Sequence, residues 1–342
     1  MKKVINITSP GTKWRVFEKE CLEKQLGKVV DIALGDLEKT QQIATSGHQG
    51  SIVFWRLNSD DINRQELNMA LKHREILRDF KMINDPVNHL HIHAKESAFS
   101  AWKEAGVKIP EFQVVESKED ITLKYPFLIR LNNQVTGRSS YLVRNEKDLD
   151  EAWPKLEFEY QSSVTKKPFT KKIAVQFIDA SKEEGKYNLS YRVIVAGNKV
   201  VTGYARLSPA SDWVAITGKF KASMGDLFIK YQQRCQNMID KNHDKIVEAV
   251  QSIGMKLQGV DIIEDQQGQI YFLECQPGFS TGYSDWPKPF YNPHQRELVD
   301  FILKNEKEFI EKCPLYYHNW LDKEKLFNEI FTNLKQGEQQ DV

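Results

Sequence analysis

Hydrophobic and polar positions follow two different periods along the first ninety residues, and the two periods predict alternating strands and helices. Residues 4–7, 29–34 and 51–55 are short apolar runs of the kind that form buried strands. Residues 13–26, between the first two runs, and residues 67–80, after the third, carry apolar side chains at helical spacing. Strands that alternate with helices predict βαβ units, so we expect a mainly parallel sheet in this part of the chain.

The pattern changes after residue 84. We expect a loop over residues 84–93, because Asp85-Pro86 is a turn signal and neither period continues. A short helix over 94–105 follows and ends at Gly106. Strand-like runs then dominate, and the last two of them are joined by a predicted hairpin turn. These runs lie at residues 125–130, 140–143, 172–178, 191–195 and 199–201.

The remaining part of the chain is mostly helical in pattern. We expect a long helix over residues 230–253, closed by Gly254, and a further hairpin over residues 259–276. From residue 295 the pattern is helical, polar and rich in Lys and Glu, and it predicts a tail that lies as a solvated flank.

Composition limits the class of protein but not its chemistry. The chain has 342 residues, of which 40% are hydrophobic and 28% charged, which is typical of a globular protein of more than one domain. Its 48 Lys and Arg nearly balance its 47 Asp and Glu, so we expect neither a nucleic-acid nor a membrane partner. Four scattered cysteines and the absence of a long apolar run indicate a cytoplasmic protein with reduced thiols.

The segment from Gly259 to Gln276 carries the clearest chemistry, because each of its two strand-like runs holds a carboxylate. A two-residue loop at 267–268, or a four-residue loop over 266–269, places Asp261 opposite Glu274, about 5 Å apart on one face. A four-residue loop over 265–268 instead places Asp261 against Phe272. A three-residue loop turns one carboxylate to the opposite face.

Two facing carboxylates destabilise a sheet unless something neutralises them. Mg²⁺ carrying the phosphates of a nucleotide would do so, since this ion prefers carboxylate and phosphate oxygens. The alternative is that both carboxylates lie on a solvated face of the hairpin, and the pair by itself does not separate the two possibilities.

The order of motifs from His93 to Gly278 resembles the ATP-grasp family. That family closes on a strand ending in Asp, a hairpin turn, and a strand ending Leu-Glu-x-Asn-Pro. The corresponding runs here are Val260-Asp261-Ile262-Ile263 and Leu273-Glu274-Cys275-Gln276-Pro277. The resemblance implies that Asp261, Glu274 and Gln276 are metal ligands.

Upstream motifs imply the phosphate contacts of a nucleotide site. Lys95, which opens a predicted helix, is similar to the family's first phosphate lysine, and Arg130 takes the place of the second. Residues 132–140 resemble the loop that covers the phosphates, and Arg138 lies within it. Arg192 and Arg206 look like the phosphate-facing arginines, so we expect them at the transferring phosphate and the acyl oxyanion.

The adenine site is implied by a second stretch. Gln176-Phe177-Ile178-Asp179 is similar to the hinge that holds adenine through backbone groups, with Asp179 as the ribose acceptor.

Three positions depart from the family pattern. Gln276 stands where the family has Asn, one methylene longer, and Arg130 stands where it has Lys. The covering loop carries a single glycine, Gly137, where the family is often glycine-rich.

The resemblance implies an ATP-dependent ligase that activates a carboxylate as an acyl phosphate, which an amine or a thiol then attacks. ATP with one or two Mg²⁺ ions, or Mn²⁺, would be the cofactors. The partners would be a small-molecule or peptide carboxylate and its acceptor, and the chain would form a homodimer. Two alternatives are a kinase of the same fold and a non-catalytic nucleotide-binding protein.

The expected fold is α/β, with a parallel α/β domain followed by a two-lobed ATP-grasp fold (α+β) with antiparallel sheets. We place the first domain at residues 1–88, the central lobe at 89–175, the C-terminal lobe at 176–310 and the helical polar tail at 311–342.

Overall fold

The computed structural model describes residues 3–8, 16–46, 51–56, 64–92, 94–134, 139–165, 170–209, 222–276 and 293–337. The first elements are β1 (Lys3–Thr8), α1 (Val16–Leu26), β2 (Lys28–Ala33), α2 (Leu37–Thr45), β3 (Ile52–Arg56), α3 (Arg64–Ile76), β4 (Lys81–Ile83) and α4 (Pro86–Ile92). Their strands form a parallel sheet in the order β2-β1-β3-β4, as the alternating pattern predicts. Both faces of this sheet are apolar and covered, which is usual for parallel sheets.

Helix α4 replaces the loop that we expected over residues 84–93. Asp85 precedes the helix, and its Oδ1 accepts the backbone N–H of Val87 at 3.0 Å. Pro86 occupies the first helical position, where its missing N–H costs nothing and its fixed φ favours the helix. The Asp-Pro pair is therefore a helix start, and the prediction of a loop is wrong.

A second sheet with its helices follows. The elements in chain order are α5 (Lys95–Glu104), β5 (Phe112–Val114), a 3₁₀ turn (Lys118–Asp120), β6 (Phe127–Leu131), β7 (Ser140–Val143), α6 (Glu146–Val164) and β8 (Lys172–Gln176). Its strands are antiparallel in the order β5-β8-β6-β7. Helix α6 packs on this sheet through Leu149, Ala152 and Leu156. We did not predict this helix.

The third sheet is also antiparallel, with the order β11-β10-β12-β13 and β9 paired to β10. Its elements are β9 (Ser181–Lys182), β10 (Tyr187–Ala196), β11 (Lys199–Pro209), a 3₁₀ turn (Ala222–Met224), α7 (Gly225–Gln251), β12 (Leu257–Glu264) and β13 (Ile270–Gln276). One face packs against α7 and α5 in the largest apolar cluster of the molecule. The opposite face is available to a site along part of its length.

The C-terminal helices are α8 (Pro293–Lys304), α9 (Glu306–Lys312), α10 (Pro314–Leu321) and α11 (Lys323–Gly337). They are helical as predicted, but α11 is not a solvated flank. Its buried apolar residues recur at helical spacing and join the cluster between the first sheet and the third; they are Leu326, Phe327, Ile330, Phe331 and Leu334. The polar composition of the tail hides this stripe, because one apolar face is enough to bury a helix.

Asn84 joins the first domain to the third sheet. Its side chain is buried, accepts the backbone N–H groups of Lys256 and Leu257 at 2.8 and 3.0 Å, and donates to the Leu257 carbonyl at 2.7 Å. This amide completes the backbone hydrogen bonds at the start of β12, so the position of β12 depends on the parallel sheet.

All four cysteines are buried: Cys21, Cys235, Cys275 and Cys313. Burial raises the pKa of Cys313 to about 12 and that of Cys275 well above its usual value, so these thiols are unreactive in the folded chain. Within the described ranges, no helix has the length and apolarity to cross a bilayer.

Candidate active site

Four side chains form a row across the third sheet, one from each neighbouring strand. In order they are Tyr204 on β11, Arg192 on β10, Asp261 on β12 and Glu274 on β13. Directly opposed residues in a sheet point to the same face. The next residues along the strands, such as Val193 and Val260, belong to the core under α7. Because neighbouring residues of a strand point to opposite faces, the row faces away from that helix.

The pairing of Asp261 with Glu274 is confirmed, although the turn that produces it is the three-residue one. Asp265 and Gln269 close the turn around residues 266–268, where Gly268 supplies the left-handed φ of 82°. That turn alone would send one of the two carboxylates to the far face.

A β-bulge restores the pairing. Ile262 lies opposite Phe272, and the next pair along the strand is Asp261 with Glu274, so Leu273 is an extra residue on β13. Phe272 and Cys275 are both buried on the core side, whereas Leu273 and Glu274 are half-buried on the other face. The bulge therefore turns the carboxylate back toward Asp261.

Asp261 binds two guanidinium groups. Arg192 donates from Nε to Oδ1 at 2.7 Å and from Nη2 to Oδ2 at 2.8 Å, and Arg206 Nη2 lies 2.7 Å from Oδ2. Only 8% of the Asp261 side chain is exposed. Burial favours the neutral acid, but Arg206 and Arg192 outweigh it and hold the pKa of Asp261 well below its usual range.

Glu274 is paired from the other lobe. Lys95, at the first turn of α5, lies 2.9 Å from Glu274 Oε1 and also donates to the Gln134 carbonyl at 3.0 Å. Arg130 on β6 donates to the same carbonyl at 3.3 Å. Burial lowers the pKa of Lys95 despite the nearby Glu274, and it lowers the pKa of Arg130 as well. An anion placed here would relieve that cost.

These six charged groups leave a net charge of +2 when all are ionised, with two carboxylates among four cations. Among the described residues, two buried guanidinium donors, Arg130 Nε and Arg206 Nε, have no hydrogen-bond partner. Buried donors of this kind are costly unless a ligand accepts from them. The site fits a polyanion such as a nucleotide's phosphates.

Mg²⁺ fits only together with such phosphates. The described part of the chain contains no group of three or more His, Cys, Asp or Glu that could hold an ion by itself. Both oxygens of Asp261 accept guanidinium N–H groups, while Glu274 Oε2 has no partner among the described residues. A cation would therefore need phosphate oxygens to complete its ligand shell.

The predicted hinge lies at the end of β8. Gln176 exchanges hydrogen bonds with Glu111, and the Phe177 N–H donates to the Pro126 carbonyl at 3.3 Å, so these two backbone donors are engaged. Ile178 is buried and Asp179 is exposed, and Asp179 Oδ1 accepts the Ser181 N–H at 2.9 Å. Any backbone N–H contact to a base from this hinge therefore falls to residues 178–179.

The turn of the β12–β13 hairpin contacts the segment that follows this hinge. Gln266 donates to the carbonyl and hydroxyl oxygens of Ser181 at 2.5 and 2.9 Å. Lys182 donates to the Glu264 and Asp265 carbonyls at 3.4 and 3.2 Å. Hinge and carboxylate hairpin are thus held together.

Polar contacts anchor the start of the covering loop. Asn132 donates to the buried Glu96 carboxylate at 2.8 Å and accepts the Lys171 N–H at 2.8 Å. These contacts place Gln134, whose carbonyl receives Lys95 and Arg130. Arg138 lies outside the described residues, and so does the side chain of Gln276, whose backbone pairs with Gly259.

The structure brings Lys95, Arg130, Arg192, Arg206, Asp261 and Glu274 into one site, with the hinge beside it. Sequence reasoning placed Asn132 at the start of the covering loop without predicting its contacts, and it missed Ser190, whose buried Oγ has no hydrogen-bond partner among the described residues. Asn132 had a signal, since an Asn-Asn pair directly after a strand favours side-chain bonds to backbone. Ser190 lies two residues before Arg192 on the same strand face, but a serine there carries no signal in a single sequence.

Solved structures share this fold. N5-carboxyaminoimidazole synthetase from Staphylococcus aureus, complexed with ADP, has a TM-score of 0.52 and 14% identity over 83% of this chain and 73% of its own. An L-amino acid ligase from Bacillus licheniformis has a TM-score of 0.51 and 16% identity over 88% and 75%. ATP-grasp ligase PsnB, complexed with precursor peptide PsnA2 and AMPPNP, has a TM-score of 0.50 and 12% identity over 81% and 89%.

No family model matches the sequence, and no curated protein matches it either. The structural likenesses establish the fold. The chain has an ATP-grasp fold, with antiparallel sheets that follow a parallel α/β part.

Proposed function

We propose that this protein is an ATP-dependent ligase that activates a carboxylate as an acyl phosphate for attack by an amine or a thiol. The observation that carries the proposal is the buried cluster of four cations and two carboxylates at the junction of the second and third sheets, with unpartnered guanidinium donors on both sides. Phosphoryl transfer needs positioning and charge neutralisation more than covalent help, and this cluster supplies both.

Lys95 and Arg130 are our candidates for the inner phosphates. They reach the site from α5 and β6, the strand that pairs with β8, which ends at the hinge. A nucleotide whose base contacts residues 178–179 would extend its phosphates toward these two cations. Arg138 remains a further candidate from the covering loop.

Arg192 and Arg206 are our candidates for the transferring phosphate and the acyl oxyanion. Asp261 holds both guanidinium groups in fixed positions, which is the preorganisation that stabilises developing negative charge. Mg²⁺ bound with the nucleotide would be held by Glu274, with Asp261 and Gln276 as further ligands, and would neutralise phosphate charge.

The neighbours support the proposal in outline. The Staphylococcus aureus synthetase was solved with ADP and PsnB with AMPPNP, so proteins of this fold bind adenine nucleotides. The Bacillus licheniformis protein is a ligase for L-amino acids, and PsnB was solved with a precursor peptide. Small-molecule and peptide carboxylates are therefore both reasonable substrates.

Hydroxylamine trapping tests the proposal without knowledge of the natural acceptor. The protein is incubated with ATP, Mg²⁺, hydroxylamine and a panel of amino acid, peptide and sugar acids. An acyl phosphate yields a hydroxamate together with ADP and phosphate. We expect hydroxamate from at least one acid, and a loss of about 100-fold or more in Glu274→Gln. Glu104→Gln, an exposed glutamate on α5, is the matched control and retains the activity.

Other outcomes point elsewhere. A phosphorylated product without release of phosphate would indicate a kinase. ATP binding by calorimetry without any turnover would indicate a non-catalytic nucleotide-binding protein. A lack of nucleotide binding would contradict all three, the proposed ligase included.

A further inference from the structure

The charged cluster divides into two banks of equal make-up. The first bank is Lys95, Arg130 and Glu274, and the second bank is Arg192, Arg206 and Asp261. Each bank has two cations and one carboxylate. Each also has one buried guanidinium Nε–H that no described residue accepts, on Arg130 and on Arg206 respectively. Each bank by itself carries a surplus of one positive charge, so each can hold an anionic group of its own.

Ser190 adds a second donor to the second bank. It lies directly opposite Arg206 on the β10–β11 pair, so the two side chains point to the same face about 5 Å apart at their Cβ atoms. Ser190 is 5% exposed, and within the described part of the chain its Oγ has no hydrogen-bond partner. The Ser190 hydroxyl and the Arg206 Nε–H are therefore two neighbouring buried donors without an acceptor among the described residues, and a ligand can supply one.

The two banks adjoin at the facing pair of Asp261 and Glu274 and extend from it in different directions. Glu274 is on β13, the strand that contacts α5, whereas Arg206 is on β11 at the opposite edge. With strands about 4.8 Å apart, the backbones of β13 and β11 are separated by about 14 Å. The hinge connects to the first bank, because β8 pairs with the strand that carries Arg130. The first bank therefore suits the nucleotide, and the second bank lies beyond it.

We infer that Arg206 Nε and Ser190 Oγ form the seat for the carboxylate of the second reactant, the acid that is activated. The inference rests on the proposed function. The two oxygens of a carboxylate are spaced to accept one hydrogen bond each from neighbouring donors. Arg206 has its Nη2 2.7 Å from Asp261 Oδ2, and its Nε–H donates to no described residue, that carboxylate included. Ser190 is thereby a substrate-binding residue.

Acetate serves as the minimal carboxylate probe. Saturation-transfer NMR measures contact of acetate with the full-length protein, with and without saturating AMP-PNP and Mg²⁺. We expect an acetate signal that persists with the nucleotide bound, and a fall of about fivefold or more in Ser190→Ala and in Arg206→Lys. Arg206→Lys retains the positive charge but lacks the Nε–H, so it tests the geometry and not the charge. Circular dichroism confirms that each variant is folded, and Ser190→Ala carries the test if Arg206→Lys is not.

Ser252→Ala is the matched control. Its hydroxyl binds the Ala249 carbonyl at 3.0 Å at the end of α7, remote from the site, and this variant should bind acetate as the wild type does. Displacement of acetate by AMP-PNP, an unchanged signal in both site variants, or no acetate contact in the wild type would overturn the inference. Failure of AMP-PNP to bind would overturn the proposed function instead, and the acetate measurements without nucleotide would still decide the seat.

Discussion

Asp261 and Glu274 face each other on β12 and β13, yet each carboxylate is bound by cations from a different part of the fold. Asp261 is held by arginines of its own sheet at 2.7–2.8 Å, and Glu274 by Lys95 of the first lobe at 2.9 Å. The repulsion that would otherwise require a metal ion is compensated by the chain itself. A nucleotide must therefore compete with these internal ion pairs for the same cations.

Asp261→Asn tests how much the pair with Arg192 and Arg206 stabilises the fold. The variant leaves two buried guanidinium groups without their counter-ion, which costs about 3 kcal/mol in the free energy of unfolding at neutral pH. Because the folded pKa of Asp261 lies below its unfolded value of about 3.9, the stabilisation is complete above that pH and disappears as the pH falls toward 2. Urea unfolding from pH 7 to pH 3 measures both. A constant difference across this range would contradict the buried pair.

Lys95→Met tests the first bank directly. The substitution removes a buried ammonium group whose described partners are the Gln134 carbonyl and Glu274. We expect the affinity for AMP-PNP to fall about 10- to 100-fold, as measured by calorimetry. Lys103→Met changes an exposed lysine at the other end of α5 and should leave the affinity unchanged. Equal losses in the two variants would mean that Lys95 acts through the stability of the helix.

Asn84→Ala tests the contact between the parallel sheet and β12. The variant leaves two buried backbone N–H groups and one carbonyl without their partner, which costs about 3 kcal/mol. Asn88→Ala removes one hydrogen bond to the Gly254 carbonyl near the surface and should cost less than about 1 kcal/mol. Guanidinium chloride unfolding compares the two, and hydrogen exchange at residues 256–257 should accelerate only in Asn84→Ala.

Phe331→Ala tests the burial of α11. Phe331 is 1% exposed and contacts Phe54 of the parallel sheet, with ring centroids 6.4 Å apart. Loss of a fully buried aromatic ring costs about 3–5 kcal/mol. Lys335→Ala, on the exposed face of the same helix, should change the stability by less than about 0.5 kcal/mol. A small effect of Phe331→Ala in thermal unfolding would support the solvated flank that the composition predicts.

His73 predicts a loss of stability at mildly acidic pH. Its ring is fully buried; Nε2 donates to the Leu34 carbonyl at 2.5 Å, and Nδ1 accepts from the Thr40 hydroxyl at 2.7 Å. Burial lowers the pKa of His73, so the unfolded chain binds a proton first as the pH falls below about 6.5. Stability should then decline by up to about 1.4 kcal/mol per pH unit. His73→Gln should lose this part of the slope, and His243→Gln, which changes a more exposed ring, should keep it.

The sequence predicts the fold of this chain better than it predicts the roles of individual side chains. The parallel sheet, the paired carboxylates and the cations around them follow from periodicity and motif order. The turn at residues 266–268 and the bulge at Leu273 do not follow, because two irregularities of opposite effect produce the same pairing as a regular hairpin. The burial of α11 was missed because its partners lie in distant parts of the chain, in the first sheet and in the third.

Because Cys275 is buried in the core, the rate at which a reagent labels its thiol reports how often the carboxylate hairpin opens. The sulfur is buried on the face opposite Glu274, so a thiol reagent can react with it only while β13 is detached from the core. Any ligand that joins the two lobes through Glu274 should slow that reaction without touching the cysteine. Labelling rates at this single atom would then measure the occupancy of a site that lies on the other side of the sheet.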